Sequence, residues 1–212
     1  MLSAHLQRRW SAPASARRAP SMDTWDNFPD QRLTALTLKG SQDAFGELVR
    51  RYQTTMFNIA YRLTGDRQEA LDLAQEAFVN AYRALAGYEV SRPFAPWLYR
   101  IVTNLALKWL ARRNAPELPL ANGEEGDEQA AHDVPDISTE PERLYLSGEQ
   151  QARLRGAILA LAPRYRAVIE LRHFQELSYD EIAAALNMRL SDVKSQLFRA
   201  RRQLRAWLEA NP

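Results

Sequence analysis

The sequence predicts an all-α chain of two small helical domains joined by an acidic linker. Three observations carry that expectation. Apolar residues recur at helical spacing in several stretches that begin and end on capping residues. Residues 115–142 lose that period and hold nine acids and no Lys or Arg. The stretch from Ser178 to Arg205, SYDEIAAALNMRLSDVKSQLFRARRQLR, reads as short helix, tight turn and long basic helix.

Residues 1–21 are rich in Ala, Ser, Arg and Pro and hold four Arg and no acid. That composition predicts a disordered extension. An Arg- and Ser-rich leader is the other reading, and Met22 opens the patterned sequence.

Residues 22–114 predict one four-helix domain. A short helix over 30–38 ends near Gly40. Ser41 or Asp43 caps the next, which runs to about Leu63 and stops at Gly65. Its apolar stripe is Phe45, Leu48, Val49, Tyr52, Met56, Ile59, Ala60 and Leu63. Asp66 caps a third helix that ends before Gly87. Ala70, Leu73, Ala74, Ala77, Phe78, Ala81 and Leu85 face inward there, while Asp72, Gln75, Glu76 and Arg83 point elsewhere. A loop from Gly87 to Pro96 follows. The fourth helix spans about Pro96 to Arg113. Trp97, Leu98, Ile101, Val102, Leu105, Trp109 and Leu110 make its core stripe, and Arg100, Asn104, Lys108 and Arg112 make a polar, basic side.

Residues 115–142 read as a linker. Residues 143–212 predict the second domain. Two helices, over 143–161 and 163–174, precede the helix-turn-helix, with Pro163 placed at the first position of the second. Ser178 and Glu181 form a capping box that starts the short helix. Asn187 tolerates the left-handed backbone of the turn. Ser191 is the expected cap of the long helix, whose buried stripe is Val193, Leu197, Ala200, Leu204 and Leu208. Its other side carries Lys194, Ser195, Phe198, Arg199, Arg202 and Arg205. Such a helix fits the DNA major groove, with cations on phosphates and early residues on base edges. A solvated basic face on a terminal helix is the plainer alternative.

The composition excludes several classes. The chain of 212 residues has no cysteine, hence no disulfide framework or thiol switch. Its three histidines are scattered at 5, 132 and 173, without metal-ligand spacing. There is no Gly-rich phosphate loop, no run of eighteen apolar residues and no cluster of acid, base and nucleophile. Neither cofactor nor metal is expected, nor membrane insertion. The reading is of a cytoplasmic DNA-associated protein and not an enzyme. The net charge of +2 conceals two basic blocks flanking an acidic one.

Three stretches resemble the extracytoplasmic-function (ECF) group of bacterial sigma factors. They are DRQEALDLAQEAFVNAYRAL from Asp66 to Leu85, FAPWLYRIVTNLALKWLARR from Phe94 to Arg113, and LAPRYRAVIELRHFQELSYDEIAAALNMRLSDVKSQLFRAR from Leu161 to Arg201. The resemblance covers about Asp43 to Leu208. It departs from the family's pattern at Leu71, Arg189, Ser191, Asp192 and Gln196.

The resemblance implies roles. Residues 22–114 would be the region 2 domain and 143–212 the region 4 domain. Asp72, Gln75 and Glu76 would dock on the coiled coil of the largest RNA polymerase subunit; a solvated helix face is the alternative. The second domain would meet the beta-subunit flap. Tyr88, Arg92, Phe94, Arg100, Asn104, Lys108 and Arg112 would contact the −10 promoter element, with Tyr88 or Phe94 stacking on an unpaired base. Lys194, Ser195, Gln196, Phe198, Arg199 and Arg202 would face the −35 element. An anti-sigma factor is a further implied partner. The expected function is a promoter-specificity subunit of RNA polymerase, with a free-standing helix-turn-helix regulator as the alternative. A 28-residue linker averages about 30 Å when flexible and reaches roughly 95 Å extended, against about 70 Å for two turns of DNA.

Overall fold

The computed structural model describes Trp25, residues 27–113 and residues 148–211. The expected N-terminal extension and acidic linker lie outside these residues. Among the described residues all regular structure is helical. The order is α1 (Asp30–Leu38), α2 (Gln42–Thr64), α3 (Arg67–Ala84), α4 (Phe94–Arg113), α5 (Gly148–Leu159), α6 (Pro163–Ile169), α7 (Tyr179–Leu186) and α8 (Leu190–Ala210).

α2 begins and ends, and α3 begins, where their capping residues stand. Ser41 Oγ accepts from the Ala44 amide at 3.3 Å and opens α2. Gly65 closes it in the left-handed region, at φ 77°, its amide donating to Tyr61 O at 2.8 Å. Asp66 then accepts from the Glu69 amide at 3.1 Å and opens α3. The two residues between helices fold α3 back onto α2. The seam between them is small: Ala70, Ala74, Ala77 and Ala81 are all buried, which lets the helices approach closely. In α1, Thr34 and Thr37 are buried, and their hydroxyls donate to carbonyls one turn back, Thr37 to Leu33 O at 2.9 Å.

α4 starts at Phe94, two residues before the expected Pro96. Pro96 falls in the first turn, where an amide has no intrahelical acceptor, so its missing N–H costs nothing. Phe94, Leu98, Val102, Ala106 and Leu110 form its buried stripe. Phe94, Leu98, Val102 and Ala106 close a core with Leu33, Leu48, Met56, Ile59 and Leu63.

The second unit differs from expectation at three places. The helix expected over 143–161 is described from Gly148 to Leu159, its first residues lying outside the description. The helix expected over 163–174 is regular only to Ile169 and continues as a widened π turn, Glu170–Phe174. There Ala167, Val168, Ile169, Glu170 and Leu171 are all buried in succession. The third difference is the cap of α8. The cap position is Arg189, with no side-chain capping bond, and Ser191 sits inside the first turn. The turn after α7 takes only three residues, so the helix starts before Ser191; Asp192 in the first turn favours the helix dipole instead. α7 itself follows the sequence closely. Both bonds of the Ser178–Glu181 capping box are made, and Asn187 takes φ 51°.

The two units pack on each other. Ala167 of α6 belongs to the first core, while Tyr99 of α4 and Leu186 of α7 pack against both cores. Arg62 of α2 and Glu170 form a bidentate ion pair across the seam, at 2.6 and 3.0 Å.

Candidate nucleic-acid interface

Three outward faces hold the candidate residues. On α3, Asp72, Gln75 and Glu76 are exposed, opposite the alanine seam. Val79 and Tyr82 continue this face at 48% and 47% exposure, large values for apolar side chains on a helix that is otherwise well packed. The sequence reading placed only the polar residues there. Tyr82 is edge-on to Phe45 with ring centres 4.9 Å apart, which fixes its ring.

On α4, Arg100, Asn104, Lys108 and Arg112 are all exposed, each four residues after the last. They make one polar row along the helix. Arg113 lies 5.1 Å from the centre of the Trp109 ring. Trp97 and Trp109 are half-buried and pack on the core, as expected from their stripe.

The loop before α4 corrects the sequence reading. Tyr88 and Phe94 are not open to stack on a base: they are 7% and 2% exposed. Tyr88 packs on Trp97 at 4.8 Å and on Phe94 at 5.8 Å, Phe94 also meets Tyr52 at 5.6 Å, and the Tyr88 hydroxyl donates to Arg92 O. An aromatic cluster this dense buries more area as core than it gains in water, and it stiffens the loop. Arg92 remains exposed. It pairs with Glu89 at 2.6 Å, both solvated, an arrangement worth little and readily exchanged for a phosphate. A hydrogen bond from Ser91, and then Arg92, holds the Glu89 carboxyl below its usual range.

On α8, Lys194, Ser195, Phe198, Arg199 and Arg202 are exposed, and Phe198 reaches 69%. Gln196 is half-buried, and its Oε1 is buried without a hydrogen-bond partner among the described residues.

Beneath α4, a polar network holds the first unit together. The Tyr52 hydroxyl donates to Asp30, Arg51 meets Asp30 at 3.0 Å and Glu47 at 2.7 Å, and Arg50 meets Glu47 at 2.7 Å. The hydrogen bond from Arg50, with Arg51, keeps the Glu47 carboxyl low against the opposing effect of burial. Burial raises the Tyr52 hydroxyl, with Asp30 adding to it. Burial also pushes Tyr99 up to about 12, reinforced by the negative charges of Asp30 and Glu170. None of this was legible in the spacing.

The structure brings two of the predicted groups together. Asn104 and Lys108 line a cleft of about 830 Å³ whose opposite wall includes Gln196 and Arg199. Asn104 Nδ2 donates to Ala185 O of α7 at 3.4 Å. Arg92 and Arg100 line a second cleft, about 470 Å³, closed on the far side by Glu181, Ala184 and Ala185. The α3 face stands apart from both. Among the described residues no group of three His, Cys, Asp or Glu is arranged to hold a metal ion, and no helix is long and apolar enough to cross a membrane.

Two helical units, the second ending in a helix-turn-helix with a cationic outer face, define a bipartite DNA-binding protein. Residues 48–115 match the sigma-70 region 2 family and residues 151–204 match sigma-70 region 4. The chain is 38% identical to the ECF RNA polymerase sigma factor SigW of Bacillus subtilis, over 80% of its own length and 91% of that protein. It is 36% identical to the ECF RNA polymerase sigma-E factor of Escherichia coli, over 83% and 92%. Among solved structures it resembles CnrH in complex with the cytosolic domain of CnrY, with TM-score 0.63 and 28% identity, covering 86% of this chain and 99% of that one. The chain therefore belongs to the sigma-70 family, in its ECF group, and is an RNA polymerase sigma factor. Sigma factors of this class join core RNA polymerase and act on promoter DNA. No comparison favours a free-standing regulator.

Proposed function

We propose a division of labour among the three faces. α3 docks on the coiled coil of the largest polymerase subunit through Asp72, Gln75 and Glu76, with Val79 and Tyr82 supplying the apolar contact. The row Arg100, Asn104, Lys108 and Arg112, with Arg92, holds the −10 element: Asn104 hydrogen-bonds a base edge and the cations take phosphates. Tyr88 and Phe94 support that loop from below. α8 enters the major groove at the −35 element with Lys194, Ser195, Phe198, Arg199 and Arg202, while the second unit rests on the beta-subunit flap.

The observation that carries this reading is the outer face of α8. A phenylalanine 69% exposed among Lys194, Arg199 and Arg202 is costly in water and useful against a groove, where a ring edge meets a thymine methyl group. On this reading residues 22–114 and 143–212 are the functional domains and 115–142 spans between them. The protein lacks catalytic chemistry of its own and works in the cytoplasm. CnrH is solved with the cytosolic domain of CnrY, and a regulatory protein of the anti-sigma kind is a further partner here.

Run-off transcription with core polymerase and a promoter library tests the reading. Initiation at one promoter class, lost in the Asp72→Ala plus Gln75→Ala variant, is expected. Tight sequence-specific binding by the chain alone, without initiation, would sink it.

A further inference from the structure

We propose that a small-molecule site lies between α2 and α5, built for a short-chain monocarboxylate about the size of acetate. The carboxylate sits between the buried Arg62 Nη1 and the guanidinium of Arg155. Its methyl group rests on Leu154, Ile158 and Phe174. None of α3, α4 and α8, the three helices that carry the outward faces, lines this cavity.

The first ground is a buried donor. Arg62 is 7% exposed. Its Nε donates to Glu170 Oε2 at 2.6 Å and its Nη2 to Oε1 at 3.0 Å. Those two nitrogens form one edge of a planar fork, so Nη1 stands on the far side from the carboxylate. Nη1 is buried and has no acceptor among the described residues. An unmatched buried donor is costly, and more so on a charged group. Asn58 and Gln151, the other polar side chains on the cavity wall, are already engaged. The acceptor for Nη1 therefore comes from outside the chain.

The second ground is charge. Arg62 is matched by Glu170, to which Gln175 Nε2 also donates at 3.0 Å. Arg155, exposed at the rim, donates from Nη1 to the Tyr61 hydroxyl at 3.1 Å and lies 5.2 Å from the centre of that ring. It is in no ion pair among the described residues. The cluster is therefore one negative charge short, which suits a monoanion. Two guanidinium groups favour a planar oxyanion, whose oxygens lie in the plane of their N–H bonds.

The third ground is size and lining. The cavity has a volume of about 70 Å³. An apolar cavity of about 150 Å³ holds a benzene ring, so roughly half that volume takes three or four heavy atoms. A carboxylate with one methyl group has that size. The remaining wall is apolar, made by Leu154, Ile158 and the ring of Phe174, whose centre is 4.2 Å from the Arg62 guanidinium carbon. A methyl group gains there, whereas a second polar end would find no partner. Tetrahedral dianions such as phosphate are too large and carry too much charge.

The test uses the full chain with isotope-labelled Ile and Leu methyl groups, followed by NMR. Sodium acetate is titrated in, with sodium chloride at matched ionic strength as the reference. Acetate should shift the Ile158 and Leu154 methyl signals saturably, with a Kd of about 1–10 mM, and should raise Tm. Acetamide has the same shape without the charge and should bind about tenfold or more weaker. Removing Arg62 would leave Glu170 uncompensated and can unfold the chain, so the exposed Arg155 is changed instead. Arg155→Gln should weaken acetate about tenfold, with helix content unchanged by circular dichroism, and Arg155→Lys should recover part of that loss. If Arg155→Gln unfolds, the contrast between acetate and acetamide on the unsubstituted chain decides. No saturable shift up to about 100 mM leaves Nη1 to water and overturns the site. So do shifts that chloride reproduces, equal binding of acetamide, or acetate binding that a folded Arg155→Gln leaves unchanged.

Discussion

Replacing Gly65 by Ala separates two costs at the junction of the units. Gly65 has φ 77°, a conformation that costs a side-chain-bearing residue about 1–2 kcal/mol. A Cβ there would also stand 3.0 and 3.1 Å from the two δ carbons of Leu159. Those atoms end a flexible side chain, so Leu159 turns aside at a further cost of about 0.5–1.5 kcal/mol. Gly40 supplies the control: its φ is 93° and a Cβ there meets nothing within 4 Å. Gly40→Ala should therefore lose only the backbone part, about 1–2 kcal/mol. Gly65→Ala should lose about 1.5–3.5 kcal/mol, lowering Tm by roughly 3–14 °C for a chain of this size. Urea unfolding followed by circular dichroism measures both, and Leu159→Ala completes the cycle that isolates the contact. Equal losses for the two glycine variants, within about 0.5 kcal/mol, would refute the reasoning, because Leu159 would then not bear on the end of α2.

Three further outcomes follow from the site and its supports. Arg199→Ala should cost about 1–3 kcal/mol at one −35 position and relax preference there, measured by competition among promoter variants; a uniform loss would make Arg199 a phosphate contact. Ser178→Ala removes one arm of the capping box and should destabilise the chain by about 1 kcal/mol in the same urea assay. At high pH, Tyr99 stays protonated in the folded chain up to about 12, against an ordinary 10.0. The unfolded chain sheds that proton first, so this stability is fully present below about pH 10 and is lost as pH rises towards 12. Tyr99→Phe should flatten unfolding free energy against pH in that window. An unchanged slope would remove Tyr99 from the account.

The ends of the helices were legible because single residues encode them. Ser41, Gly65, Asp66, Ser178 and Asn187 each do in space what their chemistry forecasts. The cap of α8 was not, because a serine near a helix start looks the same at the cap and two positions inside. The faces of α3, α4 and α8 were readable as the remainders of apolar stripes. Tyr88 and Phe94 were misread because a loop with two prolines looks like surface, and only the fold shows Trp97 and Tyr52 closing over them. Arg62 and Glu170 did leave a signal, a charge beside Ile59 and Leu63 and another between Ile169 and Leu171. Nothing in a sequence says that two such charges find each other.

The alanine seam of α3 has a consequence for how this helix can change over generations. Ala70, Ala74, Ala77 and Ala81 have no smaller neighbour but glycine, which weakens a helix by about 1 kcal/mol, and any larger side chain would wedge α3 away from α2. Drift is blocked on that side in both directions. Variation is channelled to the outward edge, to Asp72, Gln75 and Val79, where a substitution costs the fold little, and to Tyr82, which gives up only its ring contact with Phe45. A helix so divided can adjust its fit to a partner without renegotiating the architecture that carries it.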